Sequence, residues 1–288
     1  MSKEKKKINS QSYYRVSFAI LRRNKLAMFC LGVVILLILI AIFAPWLTPY
    51  NPNLNDVRNR FQGPSWAHPF GTDEYGRDIL TRVFYGCRIS LSVGVISTLM
   101  GLFVGVICGL LAAYFPKLDN PIMRVMDLLF AFPSILLAML IIAMLGINIT
   151  NTTIAIAIWS IPSFARMVRG KALQVKEEDY ILATRSLGAK DSRILFVHIL
   201  KNCLPTIIVI ATMRMASSLI SISTLSYLGM GVVPPQPEWG DMISAAKEQM
   251  WNRPELTFVP GIVVMVTVIC FNILGDKLRD ILDPSLKD

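Results

Sequence analysis

The chain has 288 residues, of which 54% are hydrophobic and 17% are charged, and its mean hydropathy is +0.54. Soluble domains usually carry about 25% charged residues, so the composition excludes a soluble domain as the class of protein. The formal net charge of +10 could suggest a nucleic acid as partner. However, the basic residues fall beside apolar stretches, where they suit an anionic membrane surface. We therefore predict an integral membrane protein that contacts membrane lipid and no nucleic acid.

Six apolar stretches are long enough, or nearly so, to cross about 30 Å of hydrocarbon at 1.5 Å per residue. The first follows a basic leader, as a secretory signal would, but its apolar part is too long and no cleavage site follows. We interpret it as an uncleaved signal anchor. The fourth stretch is the shortest. The stretches lie near residues 27–46, 89–115, 128–147, 152–165, 204–231 and 258–275.

Small and proline residues mark special positions in these stretches. Gly101, Gly105 and Gly109 recur every fourth residue and predict a helix face that another backbone can approach closely. Pro133 and Pro162 each remove a backbone donor inside a stretch, so each should kink or end a helix. Because such breaks are tolerated where the freed carbonyls face protein or water, we expect the two helices to line a cavity.

The distribution of Lys and Arg predicts the orientation of the chain. With the N-terminus inside, the segments on the cytoplasmic side carry 21 of the 29 basic residues, the external segments carry seven, and Arg214 lies within the fifth stretch. We thus predict an all-α integral membrane fold with six transmembrane helices and both termini in the cytoplasm. The predicted parts are a basic cytoplasmic tail (1–26), the first transmembrane helix (27–46), an external loop (47–88), a core of five further spans (89–275) with a cytoplasmic loop (166–202) and an external loop (232–257), and a cytoplasmic C-terminal tail (276–288).

The cytoplasmic loop contains the charged segment DYILATRSLGAKDSRILFVHILKN (179–202). Acidic residues at its front and basic residues at its back suit the dipole of a short helix, and Gly188 stands where a helix commonly ends in a left-handed residue. These signals predict a helix over 178–187. Asp191 can cap a second helix that runs to about Leu200.

One face of the first helix is apolar with a small centre. Tyr180, Ala183, Thr184 and Leu187 follow the i, i+3, i+4, i+7 spacing of a single face. Such a face suits insertion into a groove on a soluble partner, and it equally suits packing on the protein's own spans. The residues alone leave both interpretations open.

The spacing of this helix resembles a motif of binding-protein-dependent ABC importer permeases, Glu-Ala-Ala followed by three residues and Gly. Leu182, Ala183 and Thr184 take the first three places and Gly188 the last, so Leu182 and Thr184 depart from the motif. Longer segments resemble the second permease subunit of dipeptide, oligopeptide and nickel importers over nearly the whole chain from Leu26 onward. They include HPFGTDEYGRDILTRVFYGCRISLSVG (68–94), MRVMDLLFAFPSILLA (123–138), LSYLGMGVVPPQPEWGDMI (225–243) and FNILGDKLRDILDPSLK (271–287).

The resemblance implies a type I ABC importer permease fold in the bacterial plasma (inner) membrane. It implies as partners a second homologous permease, two cytoplasmic ATPase subunits and an extracytoplasmic substrate-binding protein. The implied function is half of a translocation pathway for dipeptides, oligopeptides or glutathione, with nickel as the alternative substrate. The helix over 178–187 would then couple to an ATPase. The implied coupling residues are Tyr180, Leu182, Ala183, Thr184, Leu187 and Gly188.

The chain lacks the features of an enzyme. It contains no GxxxxGK[ST] phosphate loop, so ATP and Mg²⁺ should be bound by the partner ATPases and no cofactor is predicted here. With two histidines and no CxxC pair, no metal site or disulfide is predicted either. A stand-alone secondary transporter would need midplane carboxylates or inverted repeats, and an intramembrane enzyme would need a catalytic pair; neither pattern is visible.

Arg214 would lie roughly 15 Å deep in the fifth span at 1.5 Å per residue. A charge at that depth is costly and usually faces the bundle interior. It could attract a substrate carboxylate, with Pro133 and Pro162 marking the same pathway, or pair with a polar group of the partner permease. The external segments 47–88 and 234–257 are candidates for contact with the binding protein, although Trp239 and Trp251 could instead be interfacial anchors.

Overall fold

The computed structural model of the chain describes residue 22 and residues 24–282. Within these ranges the secondary structure is helical and no β-strand occurs. Most of the predicted tail 1–26 and residues 283–288 lie outside the described residues. The helices are α1 (Lys25–Leu47), α2 (Ile79–Tyr114), α3 (Pro116–Ala131), α4 (Ser134–Leu145), α5 (Ile149–Lys176), α6 (Asp179–Ser186), α7 (Asp191–Tyr227), α8 (Trp239–Ala246) and α9 (Glu255–Leu282), with short 3-10 turns at Val57–Asn59 and Lys247–Gln249.

Four of the described helices, α1, α2, α7 and α9, are long and apolar enough to cross a membrane. Helices α3 and α4 form a fifth candidate span that is bent by 94°. The bend falls at Pro133, which ends α3 as predicted, so the stretch 128–147 is two helices. Pro162 acts differently, because α5 continues through it without ending.

The glycine stripe of α2 lies against α5 and forms the centre of the bundle. A Cβ atom on Gly105 would lie 2.5 Å from the Cβ of Phe164, and one on Gly109 would lie 2.5 Å from the carbonyl oxygen of Ala165. The predicted close approach of a second helix is therefore confirmed. Helix α7 packs on both members of this pair, α9 packs mainly on α7, and α1 lies on α2 and α9.

Helices α2, α3 and α7 begin at least ten residues before the apolar stretches predict, with α3 starting at Pro116 rather than near residue 128. Helix α2 begins at Ile79 rather than near Ile89; the prediction is late because the first turns carry polar residues that lower the local hydropathy. The N-cap of α2 is Asp78, whose carboxylate accepts a 2.7 Å hydrogen bond from the backbone N–H of Thr81. The prediction of a separate helix from Asp191 to about Leu200 is wrong. This segment is the first part of α7, joined to the rest by a π-helical turn at Ile194–Ile199.

The segment after α7 folds back onto the start of α2. The Trp239 side chain is fully buried, and its Nε1 donates a 3.1 Å hydrogen bond to the carbonyl of Val83. Glu238, also fully buried, caps α8 and accepts a 3.0 Å hydrogen bond from the Ser90 hydroxyl. The interpretation of Trp239 as an interfacial anchor is therefore wrong, whereas Trp251 is 91% exposed.

The segment between α1 and α2 is ordered around a buried guanidinium. Arg82 donates hydrogen bonds to the carbonyls of Pro52 at 2.9 Å and Pro235 at 3.3 Å, and its Nε lies 3.6 Å from the Asp73 carboxylate. One side chain thus ties both long connections to α2. Burial raises the pKa of nearby Asp241 to about 6; the Arg82 charge opposes this shift and the Glu238 charge adds to it.

Candidate functional site

Helix α6 lies at the end of the bundle where α2 finishes, opposite the end that carries α8. It runs over Asp179–Ser186. Gly188 follows its C-cap, Leu187, and has a left-handed φ of +78°, as predicted. The backbone N–H of Gly188 donates a 2.9 Å hydrogen bond to the carbonyl of Arg185. No heavy atom lies within 4 Å of a Cβ built on Gly188, so its backbone conformation is what requires glycine.

The apolar face identified in the sequence is largely exposed. Tyr180 is 42% exposed and Leu187 88%, and Leu182, which takes the first place of the motif, is 53% exposed. Ala183 is exposed as well, and Thr184 is half-buried. This arrangement disfavours the interpretation that the face packs on the chain's own spans.

Ile181 anchors α6 to the bundle instead. It is 1% exposed and belongs to an apolar cluster with residues of α2, α5 and the π-helical turn, among them Leu110 and Ile194. Sequence reasoning missed this residue because a single isoleucine outside the i, i+3, i+4, i+7 series gives little signal. The helix therefore buries one residue and presents its other apolar residues outward.

Tyr114, the last residue of α2, connects four helices. Its hydroxyl donates a hydrogen bond to the Asp191 carboxylate and accepts one from the Arg185 guanidinium at 3.0 Å. That guanidinium lies 5.3 Å from the centre of the Tyr114 ring. The Lys176 ammonium at the end of α5 donates a 3.1 Å hydrogen bond to the Tyr114 carbonyl. Helices α2, α5, α6 and α7 thus meet at one residue.

A second contact joins α6 to α7. The amide nitrogen of Asn202 donates 2.8 Å hydrogen bonds to the Tyr180 hydroxyl and to the carbonyl of His198 in the π-helical turn. Burial raises the pKa of Tyr180, with a further contribution from the Glu178 charge, so its hydroxyl stays protonated. Helix α6 thus reaches α7 on both sides of the π-helical turn, at Asp191 through the Tyr114 hydroxyl and at Asn202 directly.

Ion pairs fix α3 to α5 at the same end of the bundle. The Arg169 guanidinium donates two 2.5 Å hydrogen bonds to the Asp119 carboxylate, and Arg166 donates one of 2.6 Å to Asp127. The bidentate geometry of the first pair is the stronger kind. These two pairs connect α3 to α5.

Arg214 on α7 contacts α5 within the same chain. Its guanidinium donates a hydrogen bond to the Ser163 hydroxyl and lies 5.1 Å from the centre of the Trp159 ring. None of the ion pairs between described residues includes Arg214. Trp159 also lines a small cavity between α4, α5 and α7, which neither Pro133 nor Pro162 lines.

Comparison with known proteins identifies the family. Residues 101–288 match the family described as binding-protein-dependent transport system inner membrane component. The chain belongs to this family. Residues 12–64 of the permease match the N-terminal transmembrane domain of oligopeptide transport permease C. The resemblance seen in the sequence is thus confirmed, and the permease is a multi-pass inner membrane protein.

Curated relatives are similar over nearly their whole length. The dipeptide transport system permease protein DppC of Alkalihalophilus pseudofirmus (strain ATCC BAA-2126 / JCM 17055 / OF4) is 44% identical over 96% of this chain and 91% of its own. The glutathione transport system permease protein GsiD of Escherichia coli O6:K15:H31 (strain 536 / UPEC) is 48% identical over 92% of this chain and 88% of its own.

Solved structures share the fold at low sequence identity. A chain in inward facing conformations of the MetNI methionine ABC transporter superposes with a TM-score of 0.58, at 19% identity, over 70% of this chain and 96% of its own. A chain of an amino acid ABC transporter with histidines gives a TM-score of 0.51 at 17% identity, over 68% of this chain and 92% of its own.

Proposed function

We propose that this permease forms half of the translocation pathway for peptides in an ATP-driven, binding-protein-dependent importer. Its partners would be a second homologous permease, two cytoplasmic ATPase subunits and an extracytoplasmic substrate-binding protein. The observation that carries the proposal is α6, a short helix that is anchored by buried Ile181 and presents the exposed Leu182 and Leu187. The similarity to dipeptide and glutathione permeases supports a peptide as substrate.

The proposed topology has six transmembrane helices, namely α1, α2, the bent pair α3–α4, α5, α7 and α9. Helix α5 has 28 residues, about 42 Å at 1.5 Å per residue, which is enough to cross. It is less apolar than the other spans because it lies between α2 and α7, where buried Ser160 and Ser163 face protein. The Lys and Arg distribution supports cytoplasmic termini and α6 on the cytoplasmic side.

In the proposed mechanism, α6 inserts into a groove on an ATPase subunit. ATP and Mg²⁺ are bound by the ATPases, whose closure moves α6. Because α6 is attached to α2, α5 and α7 through Tyr114, Tyr180 and Ile181, this movement reaches the helices that line the pathway. The ATPases favour one orientation of the spans only by their different affinity for the two orientations.

The proposed pathway includes Arg214, Pro133 at the bend between α3 and α4, and Pro162 within α5. Arg214 is already hydrogen-bonded to Ser163 and stacked on Trp159, an arrangement that holds its guanidinium in place. A guanidinium held in this way is well suited to bind a peptide carboxylate, because less side-chain entropy is lost on binding.

Purification of the tagged permease from its native membrane tests the proposal. We expect a second permease and ATPase subunits to co-purify, and ATP hydrolysis in nanodiscs to increase when the co-encoded binding protein is added with its peptide. Dipeptides, glutathione and nickel are compared as substrates of the reconstituted complex. A chain that purifies without an ATPase, yet transports in vesicles under an ion gradient, would refute the proposal.

A further inference from the structure

We infer that the Tyr114 hydroxyl is a latch that passes movement of α6 to α7 across the π-helical turn, so that Tyr114 is a positioning residue for transport. This inference rests on the proposed function, since it assumes that an ATPase moves α6. The latch consists of the Arg185 guanidinium, the Tyr114 hydroxyl and the Asp191 carboxylate.

The need for a latch follows from the π-helical turn at Ile194–Ile199. Such turns are rare, and those that occur are frequently at functional sites. This one separates the first residues of α7 from the part that spans the bundle. If α6 contacted α7 on one side only, the turn could bend and absorb the movement. Helix α6 reaches α7 at Asp191 through Tyr114 and at Asn202 directly, and these contacts lie on both sides of the turn. In this way α6 restrains the turn from bending.

The hydroxyl is the necessary part of the latch. Arg185 and Asp191 form no ion pair in the described part of the chain, so the Tyr114 hydroxyl bridges them. It donates to an anion and accepts from a cation, and both kinds of hydrogen bond are stronger than neutral ones. The Tyr114 residue is 4% exposed, whereas Arg185 and Asp191 are exposed, so the bridge has a buried centre and two charged ends that face solvent. The hydrogen bond to Tyr114 raises the pKa of Arg185, so the cation persists.

Tyr114→Phe removes the hydroxyl and keeps the ring in its apolar cluster. We expect the full complex to assemble in nanodiscs with unchanged ATPase content. The number of ATP molecules hydrolysed per peptide transported should rise at least threefold, because α6 moves without carrying α7. The stimulation of ATP hydrolysis by peptide-loaded binding protein should fall by a similar factor. Both readouts are ratios, so a loss of folded protein alone does not change them.

Tyr227→Phe is the matched control, since its hydroxyl makes none of the hydrogen bonds between described side chains and the residue is 45% exposed. It should keep the wild-type ratio. Asp191→Asn should raise the ratio less than Tyr114→Phe, and the double variant should be no worse than Tyr114→Phe, because both changes break one latch. If Tyr114→Phe does not assemble, Asp191→Asn carries the same test.

An unchanged ratio in Tyr114→Phe and Asp191→Asn, in a wild-type complex that couples ATP hydrolysis to transport, would overturn the latch and leave the proposed function intact. Additive effects in the double variant would overturn it as well. If the wild-type chain binds no ATPase, the proposed function itself fails. The three outcomes are therefore distinguishable.

Discussion

Replacement of Leu187 by alanine separates docking from stability. Leu187 is 88% exposed in the chain, so its side chain contributes little to the fold. Full burial of a leucine is worth about 1.5–3 kcal/mol. If a groove on the ATPase covers Leu187, its truncation should cost about 2 kcal/mol of binding free energy, or roughly 30-fold in the dissociation constant.

The assay is titration of purified ATPase onto the permease in nanodiscs, together with thermal unfolding of the permease alone. Leu187→Ala should weaken ATPase binding and leave the unfolding temperature unchanged. Ile181→Ala should lower the unfolding temperature, since a large-to-small change at a buried position costs about 2–5 kcal/mol. Wild-type affinity in Leu187→Ala, or a lowered unfolding temperature, would refute the assignment of this face to docking.

Four further changes test other features. Gly188→Val should abolish transport without preventing membrane insertion, because φ is +78° there and a β-branched residue disfavours a positive φ. The control is Gly188→Asn, which should transport because asparagine tolerates this conformation. Normal transport by the valine variant would contradict the need for a left-handed residue. Gly105→Ala should lower the unfolding temperature, since its Cβ would lie 2.5 Å from Phe164 and overpacking costs about 1–3 kcal/mol of stability. Equal stability of the variant and the wild type would be inconsistent with close α2–α5 contact. Asp241, with its pKa raised to about 6, binds more protons in the folded than in the unfolded state, so stability should fall as pH rises from about 4 to 6. Asp241→Asn should reduce this dependence of the unfolding temperature on pH. An identical dependence in the variant would show that Asp241 does not cause it. Arg214→Gln should raise the KM for peptides with a free carboxyl terminus but not for amidated peptides, and equal effects on both would exclude a carboxylate contact.

Local signals in the sequence were sufficient to predict helix α6. Charge at the ends of α6 and the glycine after it depend only on neighbouring residues, so the helix Asp179–Ser186 and the left-handed Gly188 could be predicted. The glycine stripe likewise predicts its contact with α5. The break at Pro133 follows from the missing donor of proline.

Contacts between distant residues could not be predicted in this way. The Tyr114 hydroxyl meets Asp191 only because α2 finishes and α7 begins at the same end of the bundle, and no spacing in the sequence records that. Trp239 lies in a connection that appears solvent-exposed, yet it is buried because Gly86 leaves room for its ring. Hydropathy also places the start of α7 too late, because it averages over the charged residues of the first turns.

The contact between Trp239 and α2 can form only late in the synthesis of the protein. The slot beside Gly86 belongs to a helix that enters the membrane early, but Trp239 follows its partner Val83 by 156 residues. Because synthesis proceeds from the N-terminus, the slot beside Gly86 stays open and the Ser90 hydroxyl lacks Glu238 until residues 238 and 239 have been made. A chain that stops short of residue 238 lacks both side chains, so this gap in the contacts of its second helix persists.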